Sequence, residues 1–230
     1  MFRLENVSKV YSRRGQQVVA FRTALLDIPV GDYVAIVGPS GSGKTTLLSM
    51  LGGMHSPTTG EVTLGGASVY AMSVAQRAEL RRDKIGFVFQ TFNLVPYLTA
   101  VENVQVPFYL AGVSRNEQRE RAIVLLKRVG LGDRLDHKPH EMSTGQQQRV
   151  ALARTLANQP PVILADEPTG NLDPESRACV LDFFDELHHE NHTIVMVTHD
   201  ATAAARAERK LMLSDGAVVT TSSASSARAA

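Results

Sequence analysis

The sequence predicts an α/β fold: a parallel sheet flanked by helices, an antiparallel β part at the N-terminus, and a helical subdomain inserted between the halves of the sheet. Three observations carry this. Four short apolar runs, Tyr33–Val37, Ile85–Phe89, Val162–Ala165 and Thr193–Val197, have the length and composition of strands buried on both faces. Segments of helical period separate them. From about Thr99 to Asn158 the helical period continues without a strand, which marks the inserted block.

The elements follow in order. Leu4, Val7 and Val10 begin a strand-rich region that continues through Val18–Phe21. Tyr33–Val37 ends at Gly38, a loop runs to Gly43, and Lys44–Leu51 reads as a helix stopped by Gly52-Gly53. Within the helical block, Glu117–Val129 sets Ala122, Val124, Leu125 and Leu126 among charged residues and ends at Gly130, and Gln146–Asn158 stops before Pro160-Pro161. Glu175–His189 is a helix between the last two buried runs. Residues 1–220 are expected to form one domain, with the core at about 1–90 and 160–220 and the helical part at about 91–159. The Ser/Ala tail, 221–230, is expected to be disordered.

Composition narrows the class. The chain has 230 residues, 43% hydrophobic and 20% charged, enough to bury a full core. With 24 Lys+Arg against 23 Asp+Glu, it lacks the overall basic excess of a nucleic-acid binder. The single cysteine, Cys179, forms no internal disulfide and, set beside Val180, Leu181 and Phe183, is expected in the core. The longest uncharged run, Ile85–Val101, contains Gln90, Asn93 and Pro96 and makes a poor membrane span. Met1–Asn6 lacks the apolar stretch of a signal peptide, so an intracellular location is expected.

Gly38-Pro39-Ser40-Gly41-Ser42-Gly43-Lys44-Thr45 fits G-x-x-x-x-G-K-[ST], after an apolar strand and before a helix that continues with Thr46. Glycines let the backbone curl so that successive N–H groups converge on phosphate oxygens, and the helix start adds its positive dipole end. Lys44 would bring a point charge to the β- and γ-phosphates, and Thr45 a hydroxyl to Mg²⁺. Val162–Ala165 runs into Asp166-Glu167. Ligands of open α/β sheets sit at the carboxyl ends of the strands, so both acids should face the phosphates. Asp166 would hold the metal through water and Glu167 would polarise the attacking water.

In these and four further segments the chain resembles the ATP-binding cassette (ABC) ATPases. Gln90 matches the Q-loop, which the resemblance makes a metal and nucleotide contact. Met142-Ser143-Thr144-Gly145-Gln146 stands where the family has Leu-Ser-Gly-Gly-Gln, with Ser143, Gly145 and Gln146 as nucleotide contacts. Gly170-Asn171-Leu172-Asp173 matches the D-loop through Asp173, and His199 matches the switch histidine. Tyr11 lies where the family places an aromatic against adenine. Phe89–Pro96 and Ala165–Asp173 look like the MacB/LolD/FtsE-type branch, which the haem-exporting HrtA-like ATPases also resemble. The resemblance implies a P-loop NTPase (RecA-like) core, ATP and Mg²⁺ as ligands, and Glu167, His199 and Lys44 as catalytic residues. It also implies a homodimer around two ATPs, each held between one copy's phosphate loop and the other's signature. A separate permease subunit, MacB/LolC/FtsX-like, would hold the dimer at the cytoplasmic face of the membrane. A soluble ABC ATPase, or a divisome-type protein signalling by ATP binding alone, is the alternative.

Ser143 and Gln146 form an S-x-x-Q capping box that starts a helix. Thr144 departs from the family's glycine; a β-branched residue needs ordinary backbone angles, so a modest effect on turnover is expected. Thr91–Tyr97 is apolar for a connector and reads equally as a docking surface for a membrane subunit or as Phe92, Leu94 and Val95 folded under the helical block; the resemblance favours the docking surface. His188–His192 reads as a solvated helix end rather than a metal site, and Arg77–Lys84 as a solvated basic helix face.

Overall fold

The protein is described by a computed structural model covering residues 1–13 and 15–223. Its strands are β1 (Phe2–Arg13), β2 (Gln16–Ile28), β3 (Tyr33–Val37), β4 (Thr59–Leu64), β5 (Ala67–Ser68), β6 (Ile85–Phe89), β7 (Val162–Asp166), β8 (Thr193–Val197), β9 (Arg209–Ser214) and β10 (Ala217–Ser223). Its helices are α1 (Lys44–Leu51), α2 (Val74–Lys84), α3 (Ala100–Leu110), α4 (Arg115–Arg128), α5 (Thr144–Thr155), α6 (Pro174–His189) and α7 (Ala201–Arg206), with a 3-10 turn at Pro139–Glu141.

All ten strands join one sheet in the order β5-β4-β1-β2-β10-β9-β3-β8-β7-β6. From β9 to β6 the pairing is parallel, while β1, β2, β4 and β5 pair antiparallel. This is the expected division between a parallel core and an antiparallel N-terminal part. Side-chain alternation in the central strands divides the interior into two layers. Val34, Ile36, Val162, Leu164, Val195 and Val197 face α1 and the antiparallel strands; Tyr33, Ala35, Ile163, Ala165, Ile194 and Met196 face the cluster that includes α3–α6.

The four apolar runs are β3, β6, β7 and β8, and α3, α4 and α5 occupy the expected helical block. Three helices start on capping boxes: Ser73 with Gln76, Thr99 with Glu102, and Ser143 with Gln146. Each box satisfies two backbone donors that a helix start leaves free. Strand β10 runs on to Ser223 because the edge of β9 is open to pairing, so it takes in the first residues of the expected tail; residues 224–230 lie outside the described residues.

One residue reading is corrected and one helix reading is refined. Cys179 is exposed, not packed in the core. On α6 the inward positions are Val180, Leu181, Phe183, Phe184 and Leu187, and Cys179 turns outward with Asp182 and Glu186. The basic helix α2 buries none of its residues, as expected, yet two of its cations turn inward. Arg77 donates to the Met72 carbonyl at 2.7 Å and Arg81 to the Gly53 carbonyl at 3.1 Å, which leaves Arg82 and Lys84 on the open face. The His188–His192 stretch ends α6 and precedes β8, and the described residues hold no cluster of three metal-ligating side chains.

Candidate active site

The sheet register builds the site. Phe89 of β6 lies level with Asp166 of β7, which lies level with Val197 of β8, which in turn pairs with Ile36 of β3. The residues that follow each strand, namely Gln90, Glu167, Thr198-His199 and the loop from Gly38, therefore emerge together at one edge. Four segments far apart in sequence converge for that reason alone.

They border a cleft of about 410 Å³ whose walls include Gly38, Gly41, Gly43, Lys44, Thr45, Thr46, Gln90, Asp166, Glu167 and His199. The loop is shaped by its glycines. Gly38, Gly41 and Gly43 have φ of 153°, 78° and 100°. A Cβ on Gly43 would sit 2.1 Å from the Ala20 carbonyl oxygen, and one on Gly38 would sit 2.2 Å from that of Leu213. No side chain fits at either position, and at Gly43 the backbone angle excludes one as well. The Lys44 ammonium curls back over the loop to the carbonyls of Gly38 at 2.8 Å and Pro39 at 2.9 Å. Ser42 is buried in the loop, and its hydroxyl has no partner among the described residues; Ser40 lines the cleft.

On the facing wall, Asp166 Oδ1 lies 3.5 Å from Thr45 Oγ1 at the start of α1. Burial raises the Asp166 carboxyl above its usual range; the Thr45 hydroxyl opposes that, and Glu167 adds to it. A hydroxyl, a carboxylate and the amide of Gln90 are hard oxygen donors suited to Mg²⁺. Glu167 has a left-handed backbone, φ 47°, and its N–H donates to the Val197 carbonyl at 2.9 Å. That turn points the carboxylate across to His199: Oε1 is 2.9 Å from Nδ1, and Oε2 accepts from the His199 backbone N–H at 3.2 Å. The His199 side chain is 70% exposed, so the pair opens to the cleft mouth.

The other predicted residues lie elsewhere. Ser143 caps α5 and is exposed, with Gln146 behind it, away from the cleft of the same chain. Thr144 begins the helix with ordinary backbone angles, as its β-branch requires. Gly145 is buried, and a Cβ there would come within 2.1 Å of Ser176 Oγ. Asp173 caps α6 through the Ser176 N–H at 2.9 Å, and the Ser176 hydroxyl together with that N–H holds its carboxyl below the usual range. Tyr11 lies on β1 opposite Val18, 40% exposed, with the Lys9 ammonium 5.1 Å from its ring centre. Thr91–Tyr97 divides: Phe92 and Leu94 pack partly on the helical core, while Val95 and Tyr97 remain exposed, Tyr97 at 84%.

Three supporting side chains were missed. Gln148, fully buried, donates to the Pro168 carbonyl at 2.6 Å. Asn103, also fully buried, accepts from the Val95 N–H and donates to the carbonyls of Val95, Leu98 and Thr99. Arg154 donates to the carbonyls of Phe92 and Asn93. Their one sequence signal is a polar side chain at an inward position of an amphipathic helix.

Known proteins match this arrangement. Residues 21–170 match the ABC transporter family. The chain is 46% identical over 219 residues to the ABC transporter ATP-binding protein YvrO of Bacillus subtilis, covering 95% of this chain and 96% of that one. It is also 46% identical to the macrolide export ATP-binding/permease protein MacB of Rhodopseudomonas palustris, covering 94% of this chain but only 33% of MacB. Among solved structures, the ATP-binding cassette MJ0796, captured as a dimer with ADP and Pi, superposes with a TM-score of 0.90 at 42% identity, covering 97% of this chain and 98% of that one. With a P-loop fold matched over nearly its full length and relatives of the MacB type, this chain belongs to the ABC transporter family.

Proposed function

We propose that the chain binds ATP with Mg²⁺ and hydrolyses it as the energy-supplying subunit of a membrane export or mechanotransmission complex. The observation that carries this reading is the placement of Asp166, Glu167 and His199 at the ends of adjacent parallel strands, across from the glycine loop and from Thr45 at the start of α1. The loop N–H groups and Lys44 would bind the β- and γ-phosphates, with Tyr11 beside the adenine. Thr45, Asp166 and Gln90 would hold Mg²⁺, directly or through water; bound there, the ion neutralises charge that develops on the phosphate oxygens. Glu167 orients a water and takes its proton as the water oxygen attacks the γ-phosphorus. The bond from that phosphorus to the ADP oxygen breaks, releasing ADP and phosphate. His199, hydrogen-bonded to Glu167, fixes the carboxylate and contacts the γ-phosphate.

Ser143, Gly145 and Gln146 lie off the cleft of their own chain, which supports a role at a second copy's nucleotide. Two chains would then close around two ATPs, with Asp173 near the shared seam. The dimeric state of MJ0796 supports this. MacB is an ATP-binding/permease protein of which this chain spans a third, which supports a permease partner here; we take it as a separate subunit in two copies, with the dimer peripheral to the cytoplasmic face of the membrane. No helix among the described residues is long and apolar enough to cross a membrane. Residues 1–220 would act as one ATPase domain, and nucleic acid is not among its partners.

The test is to purify the Glu167→Gln chain with ATP from its native host in mild detergent and identify what accompanies it. A stoichiometric membrane protein that also stimulates hydrolysis by the unmodified chain is the expected result. An ATP-bound dimer with no membrane partner overturns the transport reading and leaves the signalling alternative.

A further inference from the structure

The chain leaves the site through an unfavourable turn. Directly after Gln90 and Thr91, Phe92 and Asn93 both adopt left-handed backbone angles, φ 56° and 50°. Asparagine tolerates this region; a bulky residue such as phenylalanine rarely does, unless its surroundings force it. Local hydrogen bonds span the turn: the Asn93 N–H donates to the Thr91 carbonyl at 2.5 Å, the Phe92 N–H reaches the Phe89 carbonyl at 3.4 Å, and the Thr91 hydroxyl donates to Asn93 Oδ1 at 3.1 Å; none of them touches the Phe92 or Asn93 carbonyl. What overdetermines the turn comes from 61 residues further along the chain. Arg154, near the end of α5, places Nη1 2.6 Å from the Asn93 carbonyl and Nη2 2.8 Å from the Phe92 carbonyl. Two donors of one planar guanidinium thus grip two consecutive carbonyls, a geometry that a lysine ammonium cannot reproduce.

Arg154 is half-buried, and burial pushes its pKa down, with no carboxylate contributing. Among the described residues its bonds run to neutral carbonyls alone, so no ion pair offsets the desolvation and its place rests on the geometry of the grip. The helix that carries it begins at Ser143, so the clamp connects the signature helix to the strand exit bearing Gln90. On its other side Gln90 is held by Asn171, whose amide donates to the Gln90 carbonyl at 3.2 Å and whose Oδ1 accepts from Gln90 Nε2 at 3.4 Å.

We infer that Arg154 is a positioning residue for hydrolysis: by holding the left-handed turn at Phe92-Asn93, it sets how Gln90 is presented beside Asp166 and Glu167. Asn103 pins the stretch after the turn, 95–99, and Asn171 holds Gln90 before it, so Arg154 grips the two left-handed residues that lie between. The inference rests on the hydrolysis reading above.

A double-mutant cycle tests it. Arg154→Met keeps an unbranched apolar stem of similar girth and removes the grip. In the otherwise unmodified chain it should lower kcat about 10-fold while changing the KM for ATP less than about 3-fold, because the phosphate loop is untouched. In a Gln90→Ala background the same substitution should change kcat less than about 2-fold, since the group it positions is gone. Arg154→Lys should fall between wild type and Arg154→Met and show the same dependence on Gln90; it serves as the probe if Arg154→Met does not fold, as thermal melting will report. Equal losses in both backgrounds, or no loss in either, overturn the inference. An unmodified chain that releases no phosphate from Mg-ATP overturns the hydrolysis reading itself, and this inference with it.

Discussion

Replacing Glu167 by Gln isolates the chemical step. The amide is the same size as the carboxylate and can keep both contacts of the native side chain: its oxygen accepts from the His199 N–H, as Oε2 does at 3.2 Å, and its NH₂ donates to Nδ1, which Oε1 now approaches at 2.9 Å. The left-handed turn at residue 167 is held by the backbone bond to Val197, not by the side chain, so it survives. Only the ability to take a proton from water is lost. General-base catalysis is worth about 10²–10⁴-fold, or about 3–5 kcal/mol of barrier, so kcat should fall within that range. Binding should not weaken: the glycine loop, Lys44, Thr45 and Asp166 are unchanged, and the affinity for a fluorescent ATP analogue should stay within about 3-fold of wild type. Single-turnover phosphate release and equilibrium titration measure the two quantities separately. A kcat within 3-fold of wild type would refute the reasoning, because some other group would then be the base.

Other perturbations probe other links. Gly145→Ala places a Cβ 2.1 Å from Ser176 Oγ and 2.6 Å from Ser176 Cβ, so α5 and α6 must separate, at a cost of about 1–3 kcal/mol; chemical denaturation should show it, and Ser176→Gly in the same chain should return part of it. Asn103→Ala leaves a buried N–H and three carbonyls without their side-chain partner and should cost about 3 kcal/mol, or roughly 6–12 °C in Tm by calorimetry. Asp166→Asn should raise the Tm of the nucleotide-free chain at neutral pH while abolishing Mg²⁺-dependent turnover. The sign follows from burial: the folded carboxyl has the higher pKa, so its ionisation destabilises the fold increasingly as pH rises above the unfolded value, and the gain should vanish in acid, below that value.

Four of the parallel strands were legible because each is a short apolar run between breakers; β9 pairs parallel with β3 yet begins Arg209-Lys210 and alternates in burial, so it carries no such run and was missed. The cleft was legible for a related reason: its residues directly follow those runs, and parallel pairing in register brings strand ends together. Cys179 was misread because its neighbours Val180, Leu181 and Phe183 are apolar, whereas helical period, not adjacency, decides the face. Thr91–Tyr97 divided between burial and exposure because a turn with two left-handed residues has no period to read. Gln148, Asn103 and Arg154 were invisible because their partners are backbone carbonyls and N–H groups, which carry no residue type. Gly145 was given as a nucleotide contact by resemblance alone; the close approach of α6 is a second demand for glycine there, within one chain, that the sequence did not reveal.

Phosphate release by the purified chain, measured per chain across a range of protein concentrations with Mg-ATP, tests the central claim most directly. Two copies sharing each nucleotide should give a specific activity that rises with concentration until dimers saturate, and that disappears with Glu167→Gln. A specific activity independent of concentration would contradict the shared site, and no release at any concentration would contradict the hydrolysis reading.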